Sequence, residues 1–146
     1  MPAPETSPLA TVERLVEATN AHDVEGIVAC FSDDYALEAP AHPGRSFKGT
    51  EQVRRNWTQI FAAIPNISAR LLRSAIDGDS AWTEWEMSGA RPDGALHLMR
   101  GVFIFGITAG KVRWGRMFLE PVEAAGADMD RALGAQLAAA APGPKR

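Results

Sequence analysis

The chain has little that ties it to a specialised class. It holds one cysteine, Cys30, in 146 residues, which excludes a disulfide framework within one chain. Beside Val28 and Phe31 in a helical pattern, that thiol reads as buried and inert. No stretch is long and apolar enough to span a bilayer. The opening residues, Met-Pro-Ala-Pro-Glu-Thr-Ser-Pro, lack the basic start and apolar run of a signal peptide, so a cytoplasmic location is expected. Charge of one sign is also scarce: 15 Lys and Arg against 18 Asp and Glu give a net charge of -3. That offers nucleic acid no basic face. The three histidines are scattered, with no carboxylate at ligand spacing, so neither a metal nor another cofactor is expected. There is no Gly-rich phosphate loop and no nucleophile elbow.

What remains is an ordinary globular composition, 46% hydrophobic and 23% charged, in a chain of one domain's length. Residues 1–8 read as a flexible N-terminus, with Ser7 as N-cap and Pro8 at the first helical position. Val12, Leu15, Val16 and Thr19 share one helical face. Asp23 caps a second helix whose buried side is Ile27, Val28 and Phe31. Tyr35 to Ala39 alternates as a short strand, and Pro40 to Gly49 is loop. Thr50 reads as the cap of a third helix, striped by Val53, Trp57, Ile60, Phe61 and Ile64 and stopped at Pro65-Asn66. From Ile67 the period becomes two. Turns at Asp77-Gly78-Asp79, Arg91-Pro92-Asp93-Gly94 and Thr108-Ala109-Gly110 divide four strands that run to Glu120. The pattern is α+β, with three N-terminal helices packed on a curved, mostly antiparallel sheet. Residues 124–146 form an Ala-rich C-terminal segment. Met129, Leu133 and Leu137 there suggest a short docking helix before a disordered tail.

The pieces Asn20-Ala21-His22-Asp23, Phe31-Ser32-Asp33-Asp34, Gly49-Thr50, Trp82-Thr83-Glu84-Trp85 and Gly110-Lys111-Val112, with Phe118-Leu119-Glu120-Pro121, occur in an order that resembles the SnoaL-like, or nuclear-transport-factor-2-like, superfamily. The resemblance spans residues 9–123 and implies a cone of bent sheet and three helices. It does not supply the superfamily's usual chemistry. The oxyanion tyrosine, general-base aspartate and protonated aspartate of the ketosteroid isomerases fall on Leu15, Ala39 and Val102. The Asp-Arg-Asp relay of the limonene-epoxide hydrolases falls on Met117, Trp85 and Met87. None of these side chains moves a proton at neutral pH. Trp57 aligns with an inward isomerase tyrosine. The resemblance therefore implies an apolar, aromatic cavity lined by Tyr35, Trp57, Phe61, Trp85, Met87, Val102 and Met117, suited to a hydrophobic small molecule.

Strand alternation then sorts the charges. With Trp85 inward, Glu84 and Glu86 face outward, where a partner such as Arg116 is available. Glu120 shares that face, and His97 is placed outward with Met99. Arg100 shares parity with Val102, and Arg113 with Met117. Both are therefore catalytic candidates, set against a plainer role as strand-end cations reaching water. Tyr35 is a third candidate, since its hydroxyl can donate into the cavity. His42 is the fourth, because the Pro40–Gly49 loop skirts the mouth in this fold.

Two functions follow. One is cyclisation, isomerisation or dehydration of a polycyclic or polyketide-like molecule, carried by shape and orientation. Relatives that place catalytic residues at varied positions favour it. The other is a non-catalytic module that binds a hydrophobic ligand or serves dimerisation, favoured by the missing acids and bases. A homodimer is expected through an outer sheet face bearing Trp82, Glu84, Glu86, Phe103, Phe105, Trp114, Arg116 and Phe118. The alternative is that the Met129–Leu137 segment folds back over it.

Overall fold

A computed structural model describes residues 7–138. The expected flexible residues 1–6 and the expected disordered end, Pro142 to Arg146, lie outside the described residues. Helix α1 (Pro8–Asn20) starts where the sequence places it: Ser7 accepts a hydrogen bond from the Ala10 N–H, and Pro8 occupies the first turn. Helix α2 (Val24–Val28) is capped by Asp23, whose side chain accepts from the Gly26 N–H. Phe31 does not belong to that helix. It opens strand β1 (Phe31–Glu38).

A single-turn 3-10 helix (Pro43–Arg45) and a two-residue strand β2 (Phe47–Lys48) interrupt the expected loop. Helix α3 (Thr50–Ala63) is capped by Gly49, not Thr50, with no side-chain hydrogen bond. Gly49 sits at φ 90, a conformation open to glycine at little cost. Strands β3 (Ser68–Asp77), β4 (Ser80–Ala90), β5 (Leu96–Thr108) and β6 (Lys111–Pro121) form the meander, and helix α4 (Met129–Ala138) follows. The six strands make one sheet in the order β2-β1-β6-β5-β4-β3. Only the β1–β6 pairing is parallel. The architecture is the α+β cone, with helices on the concave face of a curved, unclosed sheet. The core joins Val12 and Leu15 of α1 and Ile27 of α2 to Trp85, Phe105, Ile107 and Val112 of the sheet. No helix among the described residues is long and apolar enough to cross a membrane.

One local feature decides which side chains face that core. Strands β5 and β6 meet at a tight turn in which Ala109 and Gly110 both have positive φ, 53 and 71, the two-residue hairpin geometry that matches strand twist. Thr108 pairs with Lys111, and Ile107 with Val112. Carried straight on, that register sets Val102 against Met117. Instead the next pair is Gly106 with Trp114, so Arg113 is left over as a bulge. One extra residue reverses the facing of everything beyond it on one strand relative to the other.

This corrects the phase expected for β5. Phe103 opposes Met117 and Phe105 opposes Gly115 on the concave face. Val102 opposes Phe118 and Glu84, and Arg100 opposes Glu120 and Glu86, on the outer face. Met99 opposes Met87 and is likewise turned inward. On β4, where no bulge intervenes between Ser80 and Ala90 in the pairing with β5, the expected inward phase of Trp85 and Met87 agrees with the structure.

Candidate functional site

The concave face encloses a cavity of about 160 Å³. Helix α1 contributes Leu15 and Thr19, and α3 contributes Val53, Asn56, Trp57 and Ile60. Strand β1 supplies Phe31, Tyr35 and Leu37, and β2 supplies Phe47. The floor is Trp85, Met87, Phe103, Phe105, Met117 and Leu119 of the central strands. Stacked Phe103 and Phe105 rings, 5.3 Å apart, and a Trp85 ring edge-on to Phe103 make that floor aromatic. None of the described residues lining the cavity is Asp, Glu, His, Lys, Arg or Cys.

The polar atoms in the lining divide into used and spare. Thr19 Oγ1 donates to the Leu15 carbonyl at 2.7 Å. Trp85 Nε1 donates to Thr83 Oγ1 at 2.7 Å, and Thr83 Oγ1 donates onward to the Phe103 carbonyl at 2.7 Å. That relay fixes the indole plane of a side chain that is 1% exposed. Asn56 Oδ1 accepts from Gln52 Nε2 at 2.8 Å, which leaves the Asn56 N–H groups. Trp57 Nε1–H and the Tyr35 hydroxyl have no hydrogen-bond partner among the described residues. Burial pushes the Tyr35 phenol well above its ordinary value, because a phenolate in apolar surroundings is poorly solvated.

The residues anticipated from sequence therefore fall into separate places. Tyr35, Trp57, Trp85, Met87 and Met117 come together around the cavity. Phe61 lies one step around α3 from Ile60. It stacks on His22 with centroids 4.4 Å apart, behind the wall rather than in it. Val102 is on the opposite side of the sheet, displaced by the bulge. Arg100 is there too, donating to Glu86 at 2.8 Å. Arg113 sits on the bulge and donates to the Thr108 side chain and carbonyl at 3.1 Å each. His42 pairs with Glu120 at 2.6 Å on the exposed side of the loop. That bond, with Arg45 at 3.8 Å, holds the Glu120 carboxyl below the usual range.

The expected partnership of Glu84 or Glu86 with Arg116 is also redrawn. Glu84 meets Arg73, Glu86 meets Arg70 and Arg100, and Arg116 meets Glu38. The lining also holds residues outside the expected set, among them Phe31, Phe47, Asn56, Phe103, Phe105 and Leu119. The aromatic spacing of Phe103 and Phe105 is visible in the sequence, but the bulge that turns them inward has no sequence mark beyond Gly106. No group of three or more His, Cys, Asp or Glu among the described residues can hold a metal ion.

A sequence family described as the SnoaL-like domain matches residues 12–114. No curated relative matches the chain. Among solved structures, IdmH from Streptomyces antibioticus, a candidate polyketide cyclase, superposes with a TM-score of 0.68 at 20% identity, covering 77% of this chain and 91% of that one. A candidate polyketide cyclase from Sinorhizobium meliloti gives 0.59 at 23% identity, over 75% and 93%. A computationally designed 17-OHP binder gives 0.66 at 22% identity, over 80% and 99%. At these identities the likeness carries the fold alone.

Proposed function

The chain belongs to the SnoaL-like family, and from that premise we propose that it holds a hydrophobic, ring-bearing molecule of polyketide-like character in the concave cavity. The observation that carries the reading is the lining itself: aromatic and aliphatic throughout, with a few polar atoms and no acid or base. A pocket of that kind gains affinity by desolvating apolar surface and orientation from its few polar contacts. An apolar cavity of about 150 Å³ takes a single aromatic ring. The partly open 160 Å³ cavity suits one ring of the ligand, with the rest extending through the open side.

A second reading is cyclase- or isomerase-type turnover. The candidate polyketide cyclases among the structural neighbours favour it. Here catalysis would rest on orientation and neutral hydrogen-bond donors, because no lining group is poised to take a proton. Titrating the protein with ring compounds, while following tryptophan fluorescence and product mass together, separates the readings. Saturable quenching without product supports binding alone. Quenching with a new product supports turnover. No quenching by any ring compound rejects both.

The proposed partner is a second copy of the chain through the outer sheet face. Trp82, Phe118 and Trp114 are 51%, 40% and 39% exposed there. Val102 and Ile104 fill the space between them in register. Around this apolar centre stand the Glu84–Arg73, Glu86–Arg100 and Glu38–Arg116 pairs, an apolar middle with a polar rim. Phe103 and Phe105, expected on this face, are on the other. Helix α4 does not cover it: Met129, Leu133 and Leu137 are themselves exposed, as Trp82 is.

A further inference from the structure

We infer that the Tyr35 hydroxyl is a ligand-selecting hydrogen-bond donor, which chooses apolar ring compounds bearing an acceptor oxygen, such as aryl ketones, over hydrocarbons of the same shape. The inference rests on the cavity being the ligand site and adds the chemical class that it takes.

Three observations converge. Tyr35 is 3% exposed and lines the cavity, yet its hydroxyl has no partner among the described residues. No side-chain N or O among the described residues is both sealed from solvent and without a partner, so the unpaired Tyr35 hydroxyl opens onto the cavity, where it is free to donate to whatever enters. Here the missing partner belongs on the cavity side, because the ring itself is held by packing. Phe31 meets it edge-on at 4.6 Å, and Phe47 at 6.0 Å.

The second observation is Gly115. It opposes Phe105 on the inward face of β6, where a side chain would be expected. A Cβ built there meets the Tyr35 hydroxyl oxygen at 2.7 Å. Any side chain at 115 would occupy the recess that holds the phenol group. The glycine is not there for backbone freedom, since Gly115 is absent from the positive-φ residues.

The third is the sign of the remaining polarity. Asn56 offers N–H groups because Gln52 takes its oxygen, and the indole of Trp57 is a donor only. A ligand entering this cavity therefore meets donors. With its phenol pushed above the ordinary value by burial, Tyr35 stays protonated at neutral pH and donates throughout. An acceptor oxygen on the ligand answers all three observations, whereas a carboxylate would meet no cation in the lining.

The test compares acetophenone with cumene, which share a ring and a three-atom branch, on wild-type, Tyr35→Phe and Gly115→Ala proteins. Affinity is read by calorimetry. The carbonyl stretch of bound, carbon-13-labelled acetophenone is read by infrared spectroscopy. The expected result is that Tyr35→Phe weakens acetophenone about three- to tenfold, the size of one neutral hydrogen bond, and leaves cumene unchanged. The stretch in the wild type should lie below its hydrocarbon-solvent position and return to it in Tyr35→Phe. Gly115→Ala should raise it part of the way, because the alanine displaces the hydroxyl. Equal effects on the two ligands, or an unshifted stretch in the wild type, overturn the inference while leaving the cavity reading intact. Failure of both ligands to bind the wild type overturns the cavity reading and takes this inference with it.

Discussion

Phe103 lies directly across the sheet from Met117, and both side chains face the cavity. That opposition depends on Arg113, the residue left unpaired between Val112 and Trp114. Deleting Arg113 would restore an unbulged hairpin and set Val102 against Met117, so that the two strands could no longer share one buried face. We expect the deletion to abolish cooperative thermal unfolding. Arg113→Ala keeps the extra residue and loses exposed contacts to Thr108 and a surface charge near Asp34, so its cost should stay within about 1 kcal/mol. Calorimetry of the two variants side by side checks this. A stable deletion variant would show that the bulge does not set the facing.

Thr83 links the Trp85 indole to the Phe103 carbonyl. Thr83→Val removes both bonds while roughly preserving shape and strands the Trp85 N–H in the core. The cost should be about 1–3 kcal/mol in urea unfolding. Thr83→Ser keeps the hydroxyl and should recover most of it. In a Trp85→Phe background, where no indole N–H remains, Thr83→Val should cost less than it does alone.

Tyr35 is the only tyrosine in the chain, so ultraviolet absorbance near 295 nm in an alkaline titration reads its phenol alone. Burial raises the folded-state value above the ordinary value of about 10. A raised phenol contributes nothing to the pH dependence of stability below the unfolded value. Above it, only the unfolded chain releases the proton, and stability falls as pH rises towards the folded value. Tyrosinate should therefore appear together with loss of the folded circular-dichroism signal. Ionisation near pH 10 in a fully folded protein would place the hydroxyl in water.

The outer face gives a mass prediction. Light scattering on the eluting protein should report two chains, and Trp82→Glu should report one. A variant ending at Glu123 should stay at two, since α4 leaves the face uncovered. A single-chain mass for the full-length protein would reject the dimer.

The helices and the hairpin turns were legible because their signals are local. Ser7, Pro8 and Asp23 act within one turn of chain, and Gly110 sets its own dihedral. The third helix shows its stripe, but its cap is hidden, because Thr50 is a common capping residue while the turn needs the positive φ of Gly49. Trp57, Trp85 and Met87 are legible as lining residues because helical spacing on α3 and unbroken alternation on β4 agree with the aligned family positions, and Tyr35 shares parity with Ala39, whereas Met117, beyond the bulge on β6, rests on its aligned position alone. Val102 and Arg100 were misplaced because their phase was taken from an aligned family position, while the facing of β5 is settled by pairing with β6 across the Arg113 bulge. Phe31 is ambiguous from sequence, because apolar residues at Ile27, Val28 and Phe31 fit a 3.6 period as well as a strand start. His42 was drawn to the mouth by its loop, but its partner Glu120 lies 78 residues away in sequence, and no local pattern announces it.

A hydrophobic ligand seated in the concave cavity would lie against methionine side chains, and the methyl resonances of carbon-13-labelled methionine report it. Met87 and Met117 line the cavity, whereas Met129 stands 77% exposed on α4. Adding an aryl ketone should shift the Met87 and Met117 methyls in a saturable way, through the ring current of the bound ligand, and leave Met129 where it was. Shifts confined to Met129, or unchanged Met87 and Met117 signals at ligand saturation, would place the ligand outside the cavity.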